Sequence, residues 1–312
     1  MAVFRVQLKP EPAEGVSYED VLTFCREQQI IGVGWYMVEC HSEDYDEFRK
    51  EVYEKYAGGE RSAMKAIGAI REMRPGDLVW TRIGGNASEY YLCRVGELLW
   101  KDRNVTAEHR RHDIGNYVSA KWIHIGKEDK VPGKVVNSFC ASATAQHVYD
   151  VDLISQMIWN NYSESTDPKY EMPAMQRDEF WNMIGSEELE CLIFLYLQSK
   201  GYYIYSSTLK LSTATFEAIL THKDGSHLAF PQVKRNVPLY AENYIDALTN
   251  DRDVVYLFTT SEDYGANCYP QVKCITKQEL WQFLLTHQHI LPASIRYWLK
   301  LTECGSISEV TE

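Results

Sequence analysis

The chain has 312 residues, 45% hydrophobic and 24% charged, which excludes a disordered or fibrous protein and at roughly 100–200 residues per domain predicts two domains. No apolar run reaches the ~18–20 residues of a membrane helix, and the opening MAVFRVQLKPEPAEG lacks the apolar stretch of a signal peptide, so the expected location is cytoplasmic, with no membrane partner. The formal net charge of −12 argues against broad electrostatic capture of a polyphosphate, but it leaves room for a local basic patch.

In chain order, Val3 to Leu8 alternates as a strand, and Ser17 before Glu19 and Asp20 caps a helix running to Glu27. Ile30 to Trp35 reads as a buried turn or short strand. Helices are predicted over Tyr45–Tyr56 and Ser62–Met73, the second stopped by Arg74-Pro75-Gly76-Asp77. Asp77 to Arg82, a Gly84-Gly85-Asn86 turn and Glu89 to Val95 form a hairpin pattern, and Asp77 itself reads as a turn residue. Lys101, Arg103, His109, Arg110, Arg111 and His112 make a basic patch that reads either as a phosphate contact or as a solvated loop. A strand over Tyr117–Ile125 and a helix over Gln146–Trp159 complete a first half built as a small bent sheet with flanking helices. The polar stretch from Asn160 to Gln176, with Pro168 and Pro173, reads as a linker, which gives domains over 1–160 and 178–312 joined by 161–177.

In the second half, apolar residues at 189, 192, 193, 196 and 197 predict an amphipathic helix over Glu187–Lys200, ended by Gly201. Strands follow at Tyr202–Tyr205, Thr213–Thr221 and His227–Lys234, with a turn at 222–226. Then come a helix at Tyr240–Leu248, strands at Val254–Thr259 and Gln271–Ile275, and a helix at Gln278–His287. This order is that of an α/β chain, α+β overall, with a mixed sheet covered by helices. The eight cysteines show no CxxC pair and no Cys/His ligand spacing, which predicts free thiols rather than zinc or disulfides.

The chemistry-bearing candidates lie in the predicted hairpin. Hydrolysis of a phosphodiester with a divalent metal requires hard oxygen ligands and a cation or base beside the attacking water. One strand offers Glu217, and the next offers Gln232-Val233-Lys234, where period-two alternation turns positions 232 and 234 to one face. Glu217 and Lys234 are charges inside apolar strands, and such charges are costly to bury unless paired or bound to a metal. A solvated edge or a structural ion pair is the alternative.

Glu190, eleven residues before Gly201-Tyr202, followed by a strand, an acid-bearing strand, Gln232-Val233-Lys234-Arg235, a helix and the apolar strand ending in Thr259-Thr260, resembles the Mrr-type restriction endonucleases of the PD-(D/E)XK superfamily over about a hundred residues. The resemblance implies a restriction-endonuclease-like fold in which Glu217, Gln232 and the carbonyl of Val233 hold Mg²⁺ or Mn²⁺. Lys234 then orients the attacking water and Glu190 acts through the metal's outer shell. The family usually has Asp in a Gly-rich context where this chain has Glu217 after Ser212-Thr213-Ala214-Thr215.

The first half, through Gly32-Val33-Gly34-Trp35, Pro75-Gly76-Asp77-Leu78-Val79-Trp80 and Tyr90-Tyr91-Leu92-Cys93-Arg94-Val95, is similar to PUA-like and EVE-like domains, some of which accept an extruded modified base. That likeness implies stacking by aromatics among Trp35, Trp80, Tyr90, Tyr91, Trp100 and Trp122, most of them being core, with phosphate contacts from Arg82, Arg94, Arg110 and Arg111, and Arg235 in the second half. The expected activity is that of a metal-dependent DNA endonuclease of modification-dependent restriction or phage-defence type, working as a homodimer or with a defence-system partner subunit. The competing expectations are a catalytically silent nuclease fold acting as nucleic-acid sensor or protein-binding scaffold, and a pure protein-interaction subunit.

Overall fold

A computed structural model describes residues 1–42, 44–56, 60–83, 89–173, 176–209 and 216–302. The chain divides into two compact units, Met1–Met172 and Pro173–Glu312, and each contains a mixed sheet with helices around it. None of the described helices is long and apolar enough to cross a membrane.

The first unit has six strands: β1 (Val3–Leu8), β2 (Ile30–Val33), β3 (Leu78–Ile83), β4 (Tyr90–Val95), β5 (Asn116–Gly126) and β6 (Ala145–His147). Their order in the sheet is β2-β5-β4-β3-β1-β6, with β1 and β3 parallel and the other pairs antiparallel. The edge strand β2 also packs against β1, so the sheet curls on itself. The Tyr18–Glu27 helix starts where the sequence indicates, because Ser17 Oγ accepts the Asp20 N–H at 3.1 Å while Asp20 accepts the Ser17 N–H at 2.9 Å. Asp77 acts as the turn residue expected, accepting from the backbone N–H groups of Ala2 at 2.7 Å and Arg74 at 2.8 Å and so tying β1 to β3. The Gly84-Gly85-Asn86 turn lies outside the described residues.

Gln146–Trp159 is not one helix. Residues 145–147 pair with the open edge of β1 as β6, and the helix begins only at Asp152. A strand edge offers unpaired backbone groups, and that demand outweighs helical periodicity in three residues. The stretch read as a linker is ordered against the first unit as far as Met172: Tyr170 donates to the Gly76 carbonyl at 2.7 Å and accepts from Arg94 Nε at 3.1 Å.

The second unit's strands are β7 (Tyr202–Ile204), β8 (Leu220–His222), β9 (Leu228–Lys234), β10 (Val254–Thr259) and β11 (Val272–Cys274), in the order β11-β10-β9-β8-β7. β7, β8 and β9 form an antiparallel meander, and β10 runs parallel to β9 and β11. All six residues of β10 are buried, as a central strand covered on both faces requires. Helices at Arg177–Met183, Ser186–Ser199 and Lys277–Thr286 cover the face carrying Phe258, through Trp181 against Phe258 at 5.7 Å and against Trp281 at 6.3 Å. The opposite face carries a cluster of Phe216, Leu239, Ala241, Val255 and Leu257, bordered by Phe230 and Tyr244.

The predicted strand at 213–221 is shorter than its pattern suggests: residues 210–215 lie outside the described set, and regular pairing with β9 covers Leu220 and Thr221 only. Pro231 accounts for the early end. It has no N–H to donate toward β8, so the ladder stops, and the one bond kept there runs from the Glu217 N–H to the Pro231 carbonyl at 2.9 Å. The expected 240–248 helix is regular only over Glu242–Ile245. The helices at Arg177–Met183 and Ala293–Thr302 have no counterpart in the sequence reading.

Leu257 is fully buried in the cluster on the Gln232 face. Leu257→Ala is expected to lower unfolding free energy by about 2–5 kcal/mol in urea denaturation, while Tyr203→Ser, at a site 63% exposed, is expected to change it by less than about 0.5 kcal/mol.

Candidate functional site

Strand alternation puts Gln232 and Lys234 on one face of β9, and the interrupted stretch ahead of β8 brings Glu217 to them. Lys234 Nζ donates to Glu217 Oε1 at 3.1 Å. The Lys234 side chain is 42% exposed and that of Glu217 17%, so the pair stands at the border between core and solvent. Gln232 is buried beside it and is hydrogen-bonded to the phenol of Tyr244, whose own titration is pushed up by burial and pulled back by Lys234 and by this hydrogen bond.

Carbonyls along a strand point alternately to its two neighbours. Pro231 directs its carbonyl toward Glu217, and Lys234 directs its own toward Thr260 across β10. The Val233 carbonyl therefore faces the Glu217 side. Carboxylate, amide oxygen and backbone carbonyl are hard oxygen donors, the set that suits Mg²⁺ or Mn²⁺. Glu190 is half-buried on the Ser186–Ser199 helix, which packs on β9 from the opposite face. Just past the strand, Arg235 donates its guanidinium to the Asn182 carbonyl at the end of the preceding Arg177–Met183 helix. The structure thus brings together Glu217, Gln232 and Lys234, with Tyr244 added, and places Glu190 in the adjoining helical layer. Sequence reasoning missed Tyr244 because its segment looked like a continuous helix. It also missed Glu188, a buried acid. The signal for Glu188 was present, since the 192, 196 stripe continued one turn back lands on it.

The first unit contains a cavity of about 390 Å³ lined by Trp35, Tyr36, Tyr56 and Asp113 together with residues 7–11 and 32–34. The 34–37 loop that walls it is held from several sides. Fully buried Asn116 donates to the carbonyls of Gly34 at 2.7 Å and Trp35 at 3.0 Å, and Tyr56 accepts the Met37 N–H at 3.0 Å. Trp35 and Asp113 both take positive φ, 56° and 50°. A Cβ at Gly34 would lie 2.4 Å from Asp113 Oδ2, so only glycine lets the carboxylate sit against the loop. Asp113 accepts the Glu11 N–H at 2.8 Å, and burial pushes its carboxyl up to about 6.

The remaining candidates divide by burial. Trp80 is fully buried with its indole N–H given to Ser155 Oγ at 3.0 Å, and Trp100 is buried and bonded to Asn116 Oδ1 at 2.9 Å, so both rings are core rather than stacking surfaces. Tyr91 is buried against Trp122 and His124. Arg82 lies over the Phe139 ring and donates to Tyr90, and Arg94 is engaged by Tyr170. The basic patch is smaller than its sequence: Arg103 and His109 are buried, and Arg103 donates to four backbone carbonyls, those of Val38, Cys40, Trp100 and Gly115. Arg110 and Arg111 stay exposed, near Glu39 and Glu108.

A scan against models of known protein families finds no match to this chain, and no curated protein matches it.

An aspartate raised in the folded state above its ordinary 3.8 makes folding less favourable as pH rises, a penalty that grows between about 4 and 6 and is complete above. Asp113→Asn keeps an acceptor for Glu11 without that charge. Its melting temperature is expected to match the parent's near pH 4 and exceed it at pH 7.5, as read by calorimetry across that range.

Proposed function

We propose that the chain is a metal-dependent DNA endonuclease of modification-dependent restriction or phage-defence type. In this reading the second unit is a restriction-endonuclease-like core of Mrr type and the first a PUA-like or EVE-like reader. The observation that carries it is the convergence of Glu217, Gln232 and Lys234 on one face at the end of β9, with the ammonium 3.1 Å from the carboxylate. Open α/β sheets bind ligands at the carboxyl ends of their parallel strands, and Lys234 ends the parallel pair β9–β10.

Glu217, the Gln232 amide oxygen and the Val233 carbonyl would hold Mg²⁺ or Mn²⁺. When bound, the ion neutralises phosphate charge and lowers the pKa of a coordinated water. Lys234, released from Glu217, positions the attacking water and faces the charge that grows on the phosphate. Tyr244 would hold the Gln232 amide in place through their hydrogen bond. In the first unit, Trp35 and Tyr36 would stack an extruded base and Asp113 would meet its hydrogen-bonding edge. A dimer or a defence-system partner subunit would supply the second site needed to cut both strands.

The closed Glu217–Lys234 pair favours a second reading, in which the fold is catalytically silent and serves as a nucleic-acid sensor or scaffold, because the two charges satisfy each other without a metal. Incubation of modified and unmodified plasmid DNA with Mg²⁺ or Mn²⁺ separates the two. The enzyme reading expects cleavage of one of them, reduced about a hundredfold or more by Lys234→Ala and by Glu217→Ala. Intact DNA under all conditions, with no calorimetric heat of Mn²⁺ binding, would leave the sensor reading.

A further inference from the structure

The turn joining β8 to β9 gathers His222, Asp224 and His227, whose ligand atoms all lie within 4.8 Å of one another. Asp224 Oδ1 contacts His222 Nδ1 at 2.6 Å and accepts the Ser226 N–H at 2.9 Å. His227 Nε2 lies 2.9 Å from the buried hydroxyl of Tyr202, which continues to the Tyr256 hydroxyl at 3.1 Å. His227 Nδ1 lies 2.8 Å from Ser226 Oγ, so an ion coordinated there takes the place of that exposed serine hydroxyl while the Tyr202 contact on Nε2 orients the ring.

We propose that His222, Asp224 and His227 form a binding site for one Zn²⁺-like divalent cation, which clasps the β8–β9 turn. Two imidazoles and a carboxylate are the donors that zinc, cobalt and nickel prefer, whereas Mg²⁺ takes oxygen. A zinc ion sits about 2.0–2.2 Å from such ligands, so the three groups close in modestly on binding. The rings are now nearly parallel, 16° apart with centroids at 5.0 Å, and one imidazole turns to aim its lone pair at the shared ion. Gly225, at φ 71°, gives the turn the freedom to follow. Asp224 is exposed, which leaves a coordination position to water. The sequence reading expected no zinc because it sought cysteine-based spacing, and His-x-Asp-x-x-His was passed over as an ordinary turn.

The site is separate from Glu217 and Lys234, since Lys234 lies seven residues beyond His227, roughly 23 Å at the strand rise. Its ligation spans more than the turn. Through Tyr202 and Tyr256 the ion connects to β7 and β10, so binding is expected to raise the melting temperature of the full chain.

The test is calorimetric titration of the full-length chain with ZnCl₂ in excess Mg²⁺, paired with absorption spectra of the Co²⁺-loaded protein. One ion per chain is expected. Binding is lost in His222→Ala and weakened in Asp224→Asn, falls roughly tenfold in Tyr202→Phe, and is unchanged in Glu217→Ala. Circular dichroism of each variant without metal confirms that it folds. The proposal is overturned if no Zn²⁺ binds, if the His222→Ala and Asp224→Asn proteins bind as the parent does, or if the Co²⁺ spectrum shows thiolate charge transfer, which would move the ion to cysteines. A chain that binds zinc here yet cuts no DNA would refute the nuclease reading alone.

Discussion

The arrangement at the end of β9 depends on one missing hydrogen-bond donor. Pro231 faces β8 with a carbonyl and no N–H, so the antiparallel ladder ends two pairs after the turn, and the chain carrying Glu217 leaves the regular pleat while keeping a single bond to the Pro231 carbonyl. A strand continued in register would confine Glu217 to the spacing of a ladder. The interruption instead sets its carboxylate against the Lys234 ammonium at 3.1 Å. On the other side of β9 the parallel pairing with β10 continues without a break to Lys234, so the lysine is anchored by a rigid buried strand. One partner of the pair is held firmly and the other is supplied by irregular chain.

Much of this was legible in the sequence, for reasons that differ by element. β1 stands at its predicted ends because its apolar residues alternate with period two, and β10 because a continuous apolar run bounded by polar residues leaves little choice. The Tyr18–Glu27 helix was legible through its cap. Gln232 and Lys234 on one face followed from period-two alternation alone. What failed was whatever tertiary partners decide. β6 is a strand because β1 had an edge to offer, and residues 163–172 fold against the first unit because Tyr170 and Asp167 find partners in Arg94 and Lys121. Arg103 read as part of a patch that either meets phosphate or is a solvated loop, whereas in the fold it is buried and its donors are spent on backbone carbonyls next to the cavity.

That use of arginine bears on the chain's charge. With a net charge of −12 and Arg5 and Arg103 buried, fewer cations remain at the surface than composition suggests. Long-range steering of a polyphosphate is correspondingly weak, and any grip on nucleic acid must come from contacts at short range. In the proposed reading, the cavity of the first unit would supply such contacts. Its loop is fixed by Asn116, Tyr56 and the close approach of Gly34 to Asp113, so the aromatic walls are arranged before anything binds. Prearranged walls lower the ordering cost of binding.

Stability alone is a poor account of the Glu217–Lys234 pair. A partly exposed ion pair contributes about 0–1 kcal/mol, and buried pairs are often matched or exceeded by apolar side chains of similar volume. An aliphatic residue at either position would extend the cluster of Phe216, Phe230 and Leu257 at least as favourably. The same reasoning applies to Gln232, a buried amide that requires Tyr244 to satisfy it where a leucine would need nothing. Three polar groups placed side by side against an apolar cluster add little to stability, and in the proposed reading their place there is set by the ion they would hold.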